Sequence, residues 1–169
     1  MLRSPLKSDV DAETPPSMQL TSAQIGRSGE LLVQYRLLCL GIESSPMSTD
    51  AGIDLVAYSP EQSKARTVQV KTNLKPKPGG GKGKEVLDWW IPDDSPAELI
   101  ALVDLSEQRI WIFTMLEVAT SAQQHPKGRY HLFMYVDPTY APKTVGRIAH
   151  AFEFQRFLLE NRSHSLFGV

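Results

Sequence analysis

Two stretches of strict alternation, separated by a short polar loop, constrain this chain more than any other feature. In Gly52–Tyr58 (GIDLVAY), Ile53, Leu55 and Ala57 fall on one face, and Asp54, Val56 and Tyr58 on the other. In residues 66–72 (RTVQVKT), Val68, Val70 and Thr72 oppose Thr67, Gln69 and Lys71. The link Ser59-Pro60-Glu61-Gln62-Ser63 is rich in turn formers, so the pair reads as a β-hairpin with a loop longer than the tightest types. A period of two does not sit still as a helix, so an all-helical fold is excluded.

Around this hairpin the pattern switches between helix and strand. Thr21 and Gln24 fit a capping box ahead of IGRSGELLVQYRLLCL. There Ile25, Leu32, Tyr35 and Cys39, flanked by Leu31 and Leu38, repeat at helical spacing, and Gly41 supplies a stop. Gly26 and Gly29 each cost the helix about 1 kcal/mol relative to Ala, which implies close packing or room left beside Glu30. The tract NLKPKPGGGKGK (73–84) breaks regular structure. Further strands are expected over Val86–Ile91, Leu99–Asp104, Arg109–Thr114 and Tyr130–Val136, with a short helix over Met115–Gln123. A closing helix is expected over Val145–Glu160, with Ile148, Phe152, Phe157 and Leu159 near its buried side. The expectation is an α/β domain over residues 20–169, with a mixed sheet built on a central antiparallel hairpin and flanked by helices. Residues 1–19, polar and punctuated by Pro5, Pro15 and Pro16, read as a flexible N-terminal arm.

Composition narrows the function classes. The 169 residues are 41% hydrophobic and 22% charged, which excludes wholesale disorder. With 18 Lys+Arg against 19 Asp+Glu, the chain is no globally basic coat for nucleic acid. The longest apolar run, Leu99–Val103, is far too short for a membrane span. A lone cysteine, Cys39, excludes an intrachain disulfide framework and fits a reducing cytoplasm; among its leucines it reads as a small buried hydrophobe. His125, His131, His150 and His164 show no paired metal-ligand spacing, and Gly26-Arg27-Ser28-Gly29 is not a nucleophile elbow.

The chemistry concentrates on the hairpin. Gln69 and Lys71, two apart on a strand, share a face, and Asp54 lies on the partner strand within reach across the ladder. Three polar groups projecting from Val-, Ile- and Leu-rich strands are costly unless paired, solvated or bound to a cation. Glu30, on the preceding helix, offers a second carboxylate. The alternative is a cross-strand Asp54–Lys71 ion pair on a wet sheet face, with Gln69 exposed beside it.

In order and type of element, Glu30 in RSGELL, Asp54 in GIDLVAY, and Gln69 with Lys71 in VQVKTN resemble the PD-(D/E)XK nuclease superfamily of restriction endonucleases and Holliday-junction resolvases. VQVKTN also resembles the QVKT stretch of small bacterial domains in that superfamily. The resemblance covers roughly residues 21–73. It implies a restriction-endonuclease-like fold and a hydrolase, a metal-dependent endonuclease acting on nucleic acid, with DNA ahead of RNA. It further implies Mg²⁺ or Mn²⁺ held by Glu30, Asp54, Gln69 and the Val70 carbonyl, with Lys71 assisting attack. Two-strand cleavage by this fold implies a possible homodimer. Gln69 stands where Glu is commoner, removing one negative charge and leaving Glu30 to compensate. Two other readings therefore stay open: a nucleic-acid-binding module with little catalysis, and a protein-interaction subunit.

Charge and aromaticity add a second feature. Residues 62–84 carry seven basic side chains and no acidic one, ending in Lys75, Lys77, Lys82 and Lys84, which are expected to contact phosphates without reading sequence. In LDWWIP, Trp89 and Trp90 must face opposite sides of a strand. At most one is therefore expected in the core, with the other exposed or covered; an exposed Trp beside the basic tract could stack on an unpaired base, but the favoured alternative is that both pack beneath neighbouring elements.

Overall fold

The computed structural model describes residues 19–49, 51–141 and 147–169. The arm expected over residues 1–19 lies outside them except for Gln19, which is exposed.

Helix α1 (Ser22–Cys39) opens on the expected capping box, in which the Thr21 hydroxyl accepts from the Gln24 N–H and the Gln24 side chain accepts from the Thr21 N–H. Its buried seam is Gly29, Val33 and Leu37, one step around from the face the hydrophobic spacing suggested. Leu31, Tyr35 and Leu38 are exposed, and so is Cys39, against expectation. The glycine explains the rotation. A Cβ at position 29 would lie 1.9 Å from Thr72 Oγ1, so only glycine lets the helix approach the sheet this closely. The seam then follows Gly29 at intervals of four.

Among the described residues, eight strands follow in two sheets. In the larger, β1 (Glu43–Pro46), β2 (Leu55–Ser59), β3 (Lys64–Asn73), β6 (Leu99–Asp104) and β7 (Arg109–Thr114) lie side by side in that order. Neighbours are antiparallel except β3 and β6, which run parallel, so the sheet is mixed and the hairpin β2–β3 sits inside it. Strand β1 was not anticipated: Glu-Ser-Ser-Pro has no apolar alternation, and its proline is tolerated at a sheet edge. All six residues of β6 are buried, as its continuous apolar run requires.

The smaller sheet has the order β4 (Lys77–Pro78), β5 (Glu85–Pro92) and β8 (Arg129–Tyr135). It is built largely from the crossover that joins the parallel strands β3 and β6. The Gly/Pro/Lys tract is thus more ordered than expected: Lys77 and Pro78 pair with Val86 and Glu85, and a single 3₁₀ turn (Gly79–Gly81) follows, with positive φ at Gly80 and Gly81.

Two hydrophobic clusters lie on opposite faces of the larger sheet. One packs Val33 and Leu37 of α1 against Val68 and Val70, joined by Leu166 and Phe167 of the C-terminal helix α3 (Leu159–Phe167). The other joins Ile100, Leu102, Trp111 and Phe113 to Leu87, Trp89, Leu132 and Met134 of the smaller sheet. Helix α2 (Met115–Ser121) closes this second layer through Val118. The expected closing helix over Val145–Glu160 is not formed. Its first two residues lie outside the described ones, a 3₁₀ helix spans Ala151–Phe157, and α3 begins only at Leu159. Phe154 and Phe157, three apart, share a face at the 3₁₀ period and are buried, while Phe152 is exposed. Leu158 then leaves helical geometry and bridges to Trp111, separating the two helical segments.

Candidate active site

The register of the hairpin decides which side chains can meet. Leu55 pairs with Val68, and the Asp54 N–H donates to the Val68 carbonyl at 2.9 Å. Beyond this point β2 ends while β3 runs on through Asn73, which opens a notch along one edge of β3. The Asp54 side chain enters that notch, where its Oδ2 accepts from the Val70 N–H at 2.6 Å. The carboxylate thereby takes the ladder position a further β2 residue would have held. In an antiparallel pair the N–H and C=O of one residue point the same way, so the Val70 carbonyl also faces the notch.

Alternation places Gln69, Lys71 and Asn73 on the face of β3 opposite Val68 and Val70, as the sequence pattern indicated. Asp54 precedes β2, and the expected alternation ends there: Ile53 packs with the second cluster while Leu55 and Ala57 lie in the first, so the Asp54 carboxylate is placed by its bond to Val70. Gln69 is only 4% exposed, and its Oε1 accepts from the Ser95 hydroxyl at 3.1 Å. Gly52 closes the pocket behind it. With φ of 78°, a side chain there would be strained and would reach Pro96 at 3.0 Å and the Gln69 amide at 3.7 Å. Asn73 donates to the Asp88 carbonyl at 2.8 Å and so ties the end of β3 to the smaller sheet. Sequence reasoning missed Ser95 and Asn73; the only signal for Asn73 was its place at the end of the Gln-x-Lys alternation.

Glu30 arrives from the other side. It follows Gly29, the point where α1 touches Thr72, and its carboxylate accepts from Arg27 at 2.7 Å within the helix. Beside it, Gly26, Thr72, Asn73, Lys75 and Lys77 line a groove of about 380 Å³ between the start of α1 and the end of β3. The basic tract therefore begins at the groove and continues along β4. Lys77 pairs with Asp88 at 3.0 Å, and Lys84 lies over the Tyr140 ring at 5.8 Å.

The donor chemistry around the notch is uniform: a carboxylate, a side-chain amide oxygen and a backbone carbonyl are hard oxygen donors that suit Mg²⁺ or Mn²⁺ and not softer ions. An amide oxygen has two lone pairs, so the Ser95 bond leaves Gln69 one for a cation. Among the described residues no group of three or more His, Cys, Asp and Glu is gathered for a metal. The notch itself offers one carboxylate, Asp54, and otherwise neutral oxygens, while Glu30 stands on the α1 side of the sheet in its pair with Arg27.

No family model matches the chain, and no curated protein matches it in sequence. Among solved structures it is similar to the bacterial homing endonuclease I-Ssp6803I. The TM-score is 0.56 at 13% identity, covering 88% of this chain and 92% of the other. The mixed α/β architecture is thus similar to a nuclease fold over nearly the whole length of both chains, at low sequence identity. Among the described residues no helix is long and apolar enough to cross a membrane.

Proposed function

We propose that this protein is a divalent-metal-dependent endonuclease that hydrolyses phosphodiester bonds in nucleic acid, with DNA ahead of RNA as substrate. One observation carries the reading: the Asp54 carboxylate sits in the notch against the N–H of Val70, the residue between Gln69 and Lys71, on a fold similar to that of an endonuclease. In this reading Asp54, Gln69 and the Val70 carbonyl hold the ion, with Glu30 adding a second negative charge from α1. A bound Mg²⁺ or Mn²⁺ supplies a Lewis acid for the phosphate and a water of lowered pKa. Lys71, on the Gln69 face, orients the attacking water and offsets charge building on the phosphoryl oxygens. Water gives up a proton and adds to phosphorus, the bond to the leaving oxygen breaks, and that oxygen takes up a proton. The groove and its lysines hold the polyanion by its backbone.

The burial of Gln69 and its bond to Ser95 favour a second reading, a nucleic-acid-binding module in which this oxygen is structural. Cleavage of plasmid and oligonucleotide substrates in Mg²⁺ and in Mn²⁺ separates the two. The nuclease reading expects turnover that Asp54→Ala and Lys71→Ala each reduce by at least about a hundredfold, with unchanged circular dichroism. Activity surviving both substitutions refutes the site. Binding without cleavage in either metal leaves the second reading.

A further inference from the structure

The outer face of the smaller sheet carries a row of aromatic rings, one exposed (Trp90) and three half-buried (His131, Phe133 and Tyr135), where such a face is ordinarily polar. Trp89 points into the core at 3% exposed, whereas its neighbour Trp90 is 44% exposed. Across the strand pair, Trp90 stacks on His131 with ring centres 4.0 Å apart and planes within 4°. The row continues down β8 through Phe133 (5.4 Å from His131) and Tyr135 (5.6 Å from Phe133), and Tyr140 extends it 4.6 Å further. Leu132 and Met134, between these residues, are fully buried, so the aromatics are not an overflow of the core.

The flank of this row is cationic. The basic tract runs along β4 and the 3₁₀ turn into β5, placing Lys77, Lys82 and Lys84 at the sheet's edge and Lys75 at the groove beyond. Against them stand Glu85, Asp88 and Asp137; Asp88 is held by Lys77 at 3.0 Å and His131 at 3.3 Å, and Asp137 feels the charge of Lys84. A ligand fitting this surface has flat, apolar rings on one side and negative charge on the other. The ring centres along β8 are 5.4 and 5.6 Å apart, wider than the roughly 3.4 Å repeat along one strand of a stacked duplex, so the spacing suits bases splayed from an extended single strand.

We propose that the Trp90–His131–Phe133–Tyr135 face is a stacking platform for unpaired nucleotides, whose phosphates lie along the lysine edge. The proposal deepens the nucleic-acid reading above by naming the form of the polymer, and it does not need the notch to be catalytic. The direct test is fluorescence titration with a short oligothymidylate in EDTA, where no cleavage can occur. Trp89 and Trp111 are buried, so base stacking is expected to quench the emission of Trp90 alone. Trp90→Ala is expected to abolish the quench and weaken oligothymidylate binding about tenfold or more, while duplex affinity changes less than about threefold. Trp90→Phe keeps a ring and is expected to retain most of the affinity.

Unquenched wild-type emission at saturating oligothymidylate overturns the platform, and it does so even where the alanine variant fails to fold. Equal loss of duplex and single-strand affinity overturns it too. So does concentration-dependent self-association that buries Trp90 without nucleic acid, since the face is then a contact between copies of this chain. Failure of the nuclease reading shows separately, as absence of cleavage in Mn²⁺.

Discussion

A single missing side chain sets the depth of the groove beside the candidate site. Gly29 lets α1 rest on Thr72, and this contact fixes where Glu30 and Gly26 stand relative to the end of β3. Gly29→Ala would force a methyl group within 1.9 Å of Thr72 Oγ1 and 2.9 Å of its Cβ. Helix propensity alone would favour the alanine by about 1 kcal/mol. The overlap should outweigh it and leave a net loss of about 1–3 kcal/mol, read as a lower urea midpoint at unchanged m-value. Thr72→Ala in the same chain should restore part of that loss, because it removes the oxygen at the closest approach. Restoration absent altogether would place the strain elsewhere. The same residues show how far single positions could be read. Two glycines in one helix signalled close approach, but nothing local indicated that Gly29 would meet the sheet while Gly26 faces open space.

At the scale of elements, one carboxylate both caps the start of α2 and ties it to α3. Glu117 accepts from the Thr114 N–H at 2.8 Å as the return half of a capping box, and it receives Arg162 of α3 at 2.6 Å and 3.1 Å. Burial works to raise the Glu117 pKa. The Thr114 N–H and the Arg162 guanidinium outweigh it, so the group ionises below the ordinary glutamate value of 4.5. A carboxylate with a depressed folded pKa stabilises the fold above its unfolded pKa, and that contribution disappears as pH falls through the folded value. Wild-type melting temperature should therefore drop as pH falls below about 4.5. Glu117→Gln should be less stable by about 1–2 kcal/mol at neutral pH and should show a shallower acid decline. Parallel acid profiles for the two proteins would remove Glu117 from the account. The elements themselves were largely legible. The hairpin, the pair β6–β7 and the capping box of α1 rest on local periodicity and turn chemistry. Strand β1 and the broken C-terminal helix were not, because one has no apolar pattern and the other is cut at Leu158 by a bridge to a distant strand.

At the scale of the whole molecule, the proposed function requires a chain with formal charge −1 to bind a polyanion through a local field, which the proposal assigns to the lysines between β3 and β5. Replacing Lys75, Lys77, Lys82 and Lys84 together should flatten the salt dependence of single-strand binding by about 0.7 in the log–log slope for each phosphate no longer neutralised. Lys77, already engaged by Asp88, should contribute least. An unchanged slope would move the electrostatic footprint to another surface. By itself the sequence determined that the chain makes a mixed α/β fold around one hairpin, and that Gln69 and Lys71 share a face, because alternation and turn chemistry act over a few residues. Only the tertiary structure decided that β2 stops short of β3, so that the Asp54 carboxylate fills a vacated ladder position against Val70. It also decided that the crossover carries Trp90 and the lysines onto a second sheet. Such placements depend on which distant segments pair, and pairing is settled by burial over the whole chain, where no local pattern reaches.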